Sequence, residues 1–304
     1  MPEISRISTM SIHSRAVENF NRTQTRLAGF QDQLSSGFKG RTFKAYDGDV
    51  QEIVSLNREV NKLQTFLENN TETVSRLKTQ EKALEKMQTI GDEVKKLLVL
   101  RNNPTVANNM EFVTQMKNLR EAFGRELNTD LEGRFLFAGT RTDMPPIVDP
   151  IPESLKAGDV DIAYYQGSKE NVIARIQDNI EIEYSTRADD PAFQKFFAAV
   201  SYAITAHPVP GANDSLKKSQ SMLDEAIAGI NSLTASVRSK YTDIENINKR
   251  NEDLRDYYQG VGESLVRADP IEVTTRVAME ETTLQATFQI FARISALKLS
   301  DFLG

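Results

Sequence analysis

The stretch IVSLNREVNKLQTFLENNTETVSRLKTQEKAL (Ile53–Leu84) decides the fold, because its seam residues recur at alternating spacings of three and four. Such spacing puts them on one face of an α-helix, and four heptads of it indicate a coiled coil or a long bundle helix. The seam consists of Ile53, Leu56, Val60, Leu63, Leu67, Asn70, Val74, Leu77, Glu81 and Leu84. We interpret its two polar members, Asn70 and Glu81, as residues that set the register.

Helical periodicity also occupies both ends of the chain. A seam runs from Met10 to Leu34, and Gly37 marks the end of its helix. A further apolar face runs from Leu223 to Leu265. The motif ADPIEV predicts the start of a last helix, with Asp269 as the N-cap and Pro270 as the first helical residue. Another helix is predicted from the apolar stripe formed by Phe112, Met116, Leu119, Phe123 and Leu127.

The period changes to two in the middle of the chain, which predicts half-buried strands. VDIAYY (160–165) and IEIEYS (180–185) both alternate apolar and polar residues, and a short helix is predicted to begin at Asp190-Pro191. In EGRFLFAGTRTDMPP (132–146), we expect the preceding helix to end at Gly133 and FLF (135–137) to form a buried strand.

These patterns predict a mainly α fold. It is an elongated helical coiled-coil rod formed by the N- and C-terminal parts, with a small β-rich inserted domain. The predicted segments are an N-terminal assembly helix (1–43), the first part of the rod (44–140), the inserted domain (141–212), the second part of the rod (213–268) and a C-terminal assembly helix (269–304).

Composition argues against several classes of function. The 304 residues include no cysteine, which excludes disulfides and thiolate chemistry, and the net charge of −6 gives no reason to expect nucleic acid. No run resembles a signal peptide or a membrane span. His13 and His207 are interpreted as packed or surface residues, and Asp47 and Asp49 as a helix start rather than a calcium loop. We expect no enzyme activity, cofactor or metal.

Apolar stripes at the two termini are the candidate functional site. Two thin helices that pair only with each other leave much of their apolar surface uncovered, so we expect them to be marginal in the monomer and to become ordered in an assembly. The predicted assembly residues are Met10, Val17, Phe20, Leu27, Leu34, Leu284, Phe288, Phe291, Ile294, Leu297 and Phe302.

In four stretches, at 32–49, 133–140, 164–168 and 284–303, the chain resembles the flagellin family of bacterial flagella. Within that family, it resembles the hook-associated protein 3 group, the hook–filament junction proteins. DQLSSGFKGRTFKAYDGD (Asp32–Asp49) resembles the family segment after the first helix. GRFLFAGT (Gly133–Thr140) and YYQGS (Tyr164–Ser168) resemble junction-protein motifs. LQATFQIFARISALKLSDFL (Leu284–Leu303) resembles the family's C-terminal helix.

This resemblance implies a structural subunit that joins hook to filament and polymerises through its terminal helices. It implies secretion through the flagellar type III apparatus and an extracellular location. The implied partners are axial proteins, namely copies of itself, the hook-side junction protein and flagellin, with an export chaperone before assembly. It implies neither nucleic acid binding nor membrane insertion. A flagellin filament subunit and a cytoplasmic coiled-coil scaffold remain the alternatives.

Overall fold

The computed structural model describes residues 3–101, 111–148, 164–206 and 213–303. Its long helices are α1 (Glu3–Ser36), α2 (Val50–Arg101), α3 (Glu111–Leu127), α4 (Pro191–Ala206), α5 (Asn213–Val266) and α6 (Pro270–Leu303). Two antiparallel hairpins pair β1 (Asp130–Leu131) with β2 (Arg134–Phe135) and β3 (Ile173–Gln177) with β4 (Ile180–Glu183). The prediction of a mainly α chain with a small β-containing insertion is therefore confirmed.

The chain divides into two compact units. One comprises Met1–Asn61 with Leu254–Gly304, and the other comprises Lys62–Asp253. Helices α2 and α5 each contribute residues to both units. The large hydrophobic core belongs to the second unit, and the terminal helices belong to the first.

In the second unit, α2 and α5 run antiparallel along the predicted seam. Seam residues of α2 such as Leu77 and Leu84 are completely buried, as are Ile230 and Val237 of α5. The polar position Glu81 accepts a hydrogen bond of 2.6 Å from Arg238 Nε across the seam. A polar residue on the seam thus makes a specific cross-helix bond that an apolar residue could not make.

Asn70, the other polar seam position, joins three elements. Its Nδ2 donates to Asn248 Oδ1 of α5 at 2.8 Å and to the carbonyl oxygen of Ile176 in β3 at 2.9 Å. Asn70 is 1% exposed and Ile176 is completely buried. A buried carbonyl is costly to leave unpaired, so this amide stabilises the position of the β3–β4 hairpin on the seam.

The end of α3 differs from the prediction. The helix ends at Leu127 rather than Gly133, because the Asn128 side chain bonds to both backbone groups of Ile147, at 2.9 and 3.0 Å. Glu132 and Gly133 instead form the two-residue turn of the β1–β2 hairpin, with φ of 55° and 75°. Positive φ at both positions is the requirement of a type I′ turn, which favours glycine.

After β2, which ends at Phe135, residues 136–139 run through the interior of the second unit. Leu136, Phe137 and Ala138 are buried, and their carbonyl oxygens accept hydrogen bonds from three separate segments. The donors are Gln80 Nε2 (2.7 Å), Ala188 N (2.9 Å) and Ser168 N (2.8 Å), respectively. The predicted FLF strand is wrong in extent, but the burial of Leu136 and Phe137 agrees with the prediction.

This interior segment brings together two motifs that lie far apart in the sequence. Thr140 Oγ1 donates to Ser168 Oγ at 2.8 Å, so GRFLFAGT contacts YYQGS directly. A Cβ on Gly139 would lie 2.4 Å from the carbonyl oxygen of Ser168. The close approach of the two backbones therefore requires glycine at position 139.

Aromatic packing completes this core around α4. Phe123 of α3 stacks on Phe196 with ring centroids 3.8 Å apart, and Phe137 meets Phe193 edge-on. As predicted, α4 begins at Pro191, and Asp190 caps it by accepting a hydrogen bond from Ala192 N at 2.9 Å. The strand predicted at 180–185 is observed as β4, whereas most of the strand predicted at 160–165 lies outside the described residues.

We expect Asn70→Ala to destabilise the protein by about 1–3 kcal/mol, because it leaves the buried carbonyl of Ile176 without its donor. Urea unfolding followed by circular dichroism measures the effect. Asn69→Ala is the matched control, since Asn69 is the exposed neighbour on the same helix. Equal stability of the two variants would contradict the importance of this bond.

Gly139→Ala should destabilise the protein by about 2 kcal/mol or more, because Cβ meets Ser168 O and φ is +66°. The measurement is the free energy of unfolding of the variant compared with that of the wild type. Gly260→Ala is the control: nothing lies within 4 Å of a Cβ there, and it should stabilise α5 by about 0.5–1 kcal/mol. A Gly139→Ala variant as stable as the wild type would refute the close-approach argument.

Candidate assembly interface

Helices α1 and α6 carry all the predicted assembly residues and pack against each other. They run antiparallel, because Phe30 lies near Arg276 while Arg26, one turn earlier in α1, pairs with Glu280, one turn later in α6. The structure thus brings the two apolar stripes of the chain into one helix pair. Both helices lie in the same compact unit.

The pair covers its stripe residues incompletely. Val17, Phe20, Leu27, Leu284 and Phe291 are half-buried. Leu34 is 47% exposed and Phe288 is 63% exposed. The side chains of Met10, Ile294, Leu297 and Phe302 lie outside the described residues. As a proposed interface, this set of residues remains a prediction.

Very few side chains of the pair are fully shielded from water. Among the side chains that the structure describes on α1 and α6, those of Thr23 and Val273 are buried. A fully packed helix pair would bury a residue at almost every turn of its seam, as α2 does. The pair therefore has a thin core and gains little free energy from the burial of apolar surface.

Polar contacts supplement this thin core. Arg26 donates two hydrogen bonds to Glu280, from Nε at 2.8 Å and from Nη2 at 3.1 Å. This contact raises the pKa of Arg26, so the guanidinium stays charged. The Arg276 guanidinium lies 5.6 Å from the centre of the Phe30 ring. Such exposed contacts orient the helices more than they stabilise them.

Sequence reasoning missed several exposed apolar residues near the stripes. Ile271 is 78% exposed, Met279 is 66% exposed and Ile290 is 55% exposed on α6. Phe38 and Phe43, at 47% and 63%, lie between α1 and α2. They fall outside the regular spacing of the seams, and their apolar character was the available signal.

The remaining candidates are the histidines and the acidic residues before α2. In the part of the chain that the structure describes, no three His, Asp or Glu side chains come together as metal ligands. The Asp49 carboxylate lies 3.9 Å from Lys39 Nζ, and α2 begins at the next residue, as the helix-start interpretation predicts. The side chains of His13 and Asp47, and the whole of His207, lie outside the described residues.

None of the described helices combines the length and the hydrophobicity that crossing a bilayer demands.

Comparison with known proteins agrees with the resemblance found in the sequence. Residues 7–142 match the family described as the bacterial flagellin N-terminal helical region. No curated protein matches the chain.

Solved structures show a similar fold. A chain described as a flagellar hook-associated protein from Vibrio parahaemolyticus superposes with a TM-score of 0.61 and 15% identity, over 72% of this chain and 97% of that one. FlgL from Bacillus cereus superposes with a TM-score of 0.52 and 14% identity, over 67% of this chain and 98% of that one. At this level of identity, the likeness concerns the fold.

Arg26→Glu should weaken the α1–α6 pair, because it places two carboxylates together at the Glu280 contact. Hydrogen exchange should then become faster in the middle of both helices, and the double variant Arg26→Glu/Glu280→Arg should restore protection. Arg22→Glu is the control, since Arg22 pairs with Glu18 of its own helix. If both single variants exchange alike, the cross-helix contact does not orient the pair.

Proposed function

We propose that this chain, whose residues 7–142 match the bacterial flagellin N-terminal helical region, is a structural component of the bacterial flagellum that joins the hook to the filament. The observation that carries the proposal is the terminal helix pair. It displays apolar side chains over a thin core, as a surface completed by neighbouring subunits would. The sequence motifs GRFLFAGT and YYQGS, which contact each other, favour a junction protein over a filament subunit.

The terminal helix pair suits polymerisation. Exposed residues such as Phe288 and Met279 are costly to leave in contact with water, and burial against another subunit recovers that free energy. We infer that the same helices meet unlike neighbours above and below. Contacts of this heterologous kind build rings and helical assemblies.

The partners follow from this position. We infer that the chain contacts copies of itself, a hook-side junction protein and flagellin, and that an export chaperone binds it before secretion. The working location is the extracellular flagellum. Neither nucleic acid nor a membrane is a partner in this proposal, and the role is structural rather than enzymatic.

Reconstitution on isolated hooks tests the function. The purified protein should cap hooks that lack a filament, and flagellin added afterwards should grow from the capped hooks only. Cells without the gene should release unpolymerised flagellin into the medium. Failure to cap hooks would refute the proposal, and a filament built of this protein itself would favour a flagellin.

Removal of residues 285–304 should abolish assembly and leave the rest of the molecule folded, because the large core lies within Lys62–Asp253. Circular dichroism should show the helicity of the remaining helices, while the hook-capping assay should fail. Loss of helicity in α2 and α5 would show that the terminal helix is needed for folding.

The cellular location separates the alternatives. Intact protein in sheared flagella fits a junction protein, and protein confined to the cell lysate fits a cytoplasmic coiled-coil scaffold. The amount of this protein in sheared flagella separates a junction protein from a flagellin, since a flagellin would form the bulk of the sheared material.

A further inference from the structure

Two interruptions separate the terminal helices from the helices next to them: residues 37–49 between α1 and α2, and residues 267–269 between α5 and α6. Hydrogen bonds join the two interruptions. Phe38, between α1 and α2, and Arg267, between α5 and α6, form an antiparallel β-bridge. Lys39 N donates to the carbonyl oxygen of Val266 at 2.9 Å, and Ala268 N donates to that of Gly37 at 2.9 Å. All of these residues lie in the first compact unit.

Further hydrogen bonds tie this bridge to the helix ends. Gln33, in the last turn of α1, donates from Nε2 to the carbonyl oxygen of Lys39 at 2.8 Å. On the other side, Asp269 Oδ1 accepts from Ile271 N at 2.8 Å and caps α6. The end of α1, the end of α5 and the start of α6 thus share one connected set of hydrogen bonds.

Little apolar burial reinforces the bridge. None of the described residues in 35–46 or 265–271 is buried, and Phe38 itself is 47% exposed. Backbone hydrogen bonds at a solvated surface contribute little net free energy, and such segments open locally before the rest of a structure does. The bridge therefore couples the two interruptions without making them rigid.

We propose that this bridge is a joint through which α1 and α6 change orientation together relative to the adjacent ends of α2 and α5. The Arg26–Glu280 contact and the Phe30–Arg276 contact hold α1 to α6, and the bridge holds their two connections side by side. A pair attached in this way turns as one body. The proposal rests on the proposed function, because a subunit between unlike neighbours must fit its terminal pair to both.

Spin labels measure the coupling, since the chain has no cysteine of its own. Gln24→Cys/Thr282→Cys reports the distance from α1 to α6. Gln24→Cys/Ser55→Cys and Thr282→Cys/Gln259→Cys report the distances from α1 to α2 and from α6 to α5. These four positions are exposed. In double electron–electron resonance, we expect a narrow α1–α6 distribution and two broader distributions for the other pairs.

A proline tests whether the bridge produces the coupling. Lys39→Pro removes the N–H that bonds to Val266, and the extended Phe38 suits the position before a proline. The narrow α1–α6 distribution should be lost in this variant. Lys39→Ala is the matched control, because it keeps the N–H and removes only the side chain, and it should match the wild type.

Two results would overturn the joint. One is a wild-type α1–α6 distribution as broad as the other two, and the second is a Lys39→Pro variant with all three distributions unchanged. The hook-capping assay on the same proteins separates this failure from failure of the proposed function. A wild type that caps hooks while its helices are uncoupled refutes the joint alone, and a wild type that does not cap hooks refutes the function.

Discussion

A buried backbone needs a partner for every polar group, and this constraint organises the second unit around the buried residues 136–139. Three successive carbonyl oxygens, of Leu136, Phe137 and Ala138, are satisfied by an α2 side chain and by two other segments of the chain. Each bond holds a different part of the unit to the same extended segment. Helix α2, the YYQGS motif and the entry to α4 are therefore positioned together, because loss of any one of them would leave a buried carbonyl unpaired.

The two units differ in how they use their apolar residues. The second unit encloses them, with Phe123, Phe196 and Leu77 almost completely shielded from water. The first unit leaves them partly open on α1 and α6, where Thr23 and Val273 are the described residues that are buried. The second unit thus folds around its own core, whereas the first leaves apolar surface exposed, and we propose that neighbouring subunits cover this surface.

Polar residues on apolar seams show how specificity is added to such a structure. Asn70 and Glu81 interrupt the heptads of α2, and each makes a bond to α5 that a leucine could not make. Asn70 also donates a hydrogen bond to the carbonyl oxygen of Ile176 and so holds the β3–β4 hairpin against the seam. Their effect is to select one arrangement among several that apolar contacts alone would tolerate.

The sequence by itself determined the helices, their apolar faces, the caps at Asp190 and Asp269 and the apolar positions of the terminal helices, because these depend on residues within about four positions of each other. Tertiary structure decided which distant groups meet. Asn70 bonds to a carbonyl 106 positions away, and Arg26 to a carboxylate 254 positions away. The end of α3 was mispredicted for the same reason, since Ile147 supplies the backbone groups that Asn128 binds. Local spacing sets the period of a helix, whereas a partner far along the chain is chosen by the fold.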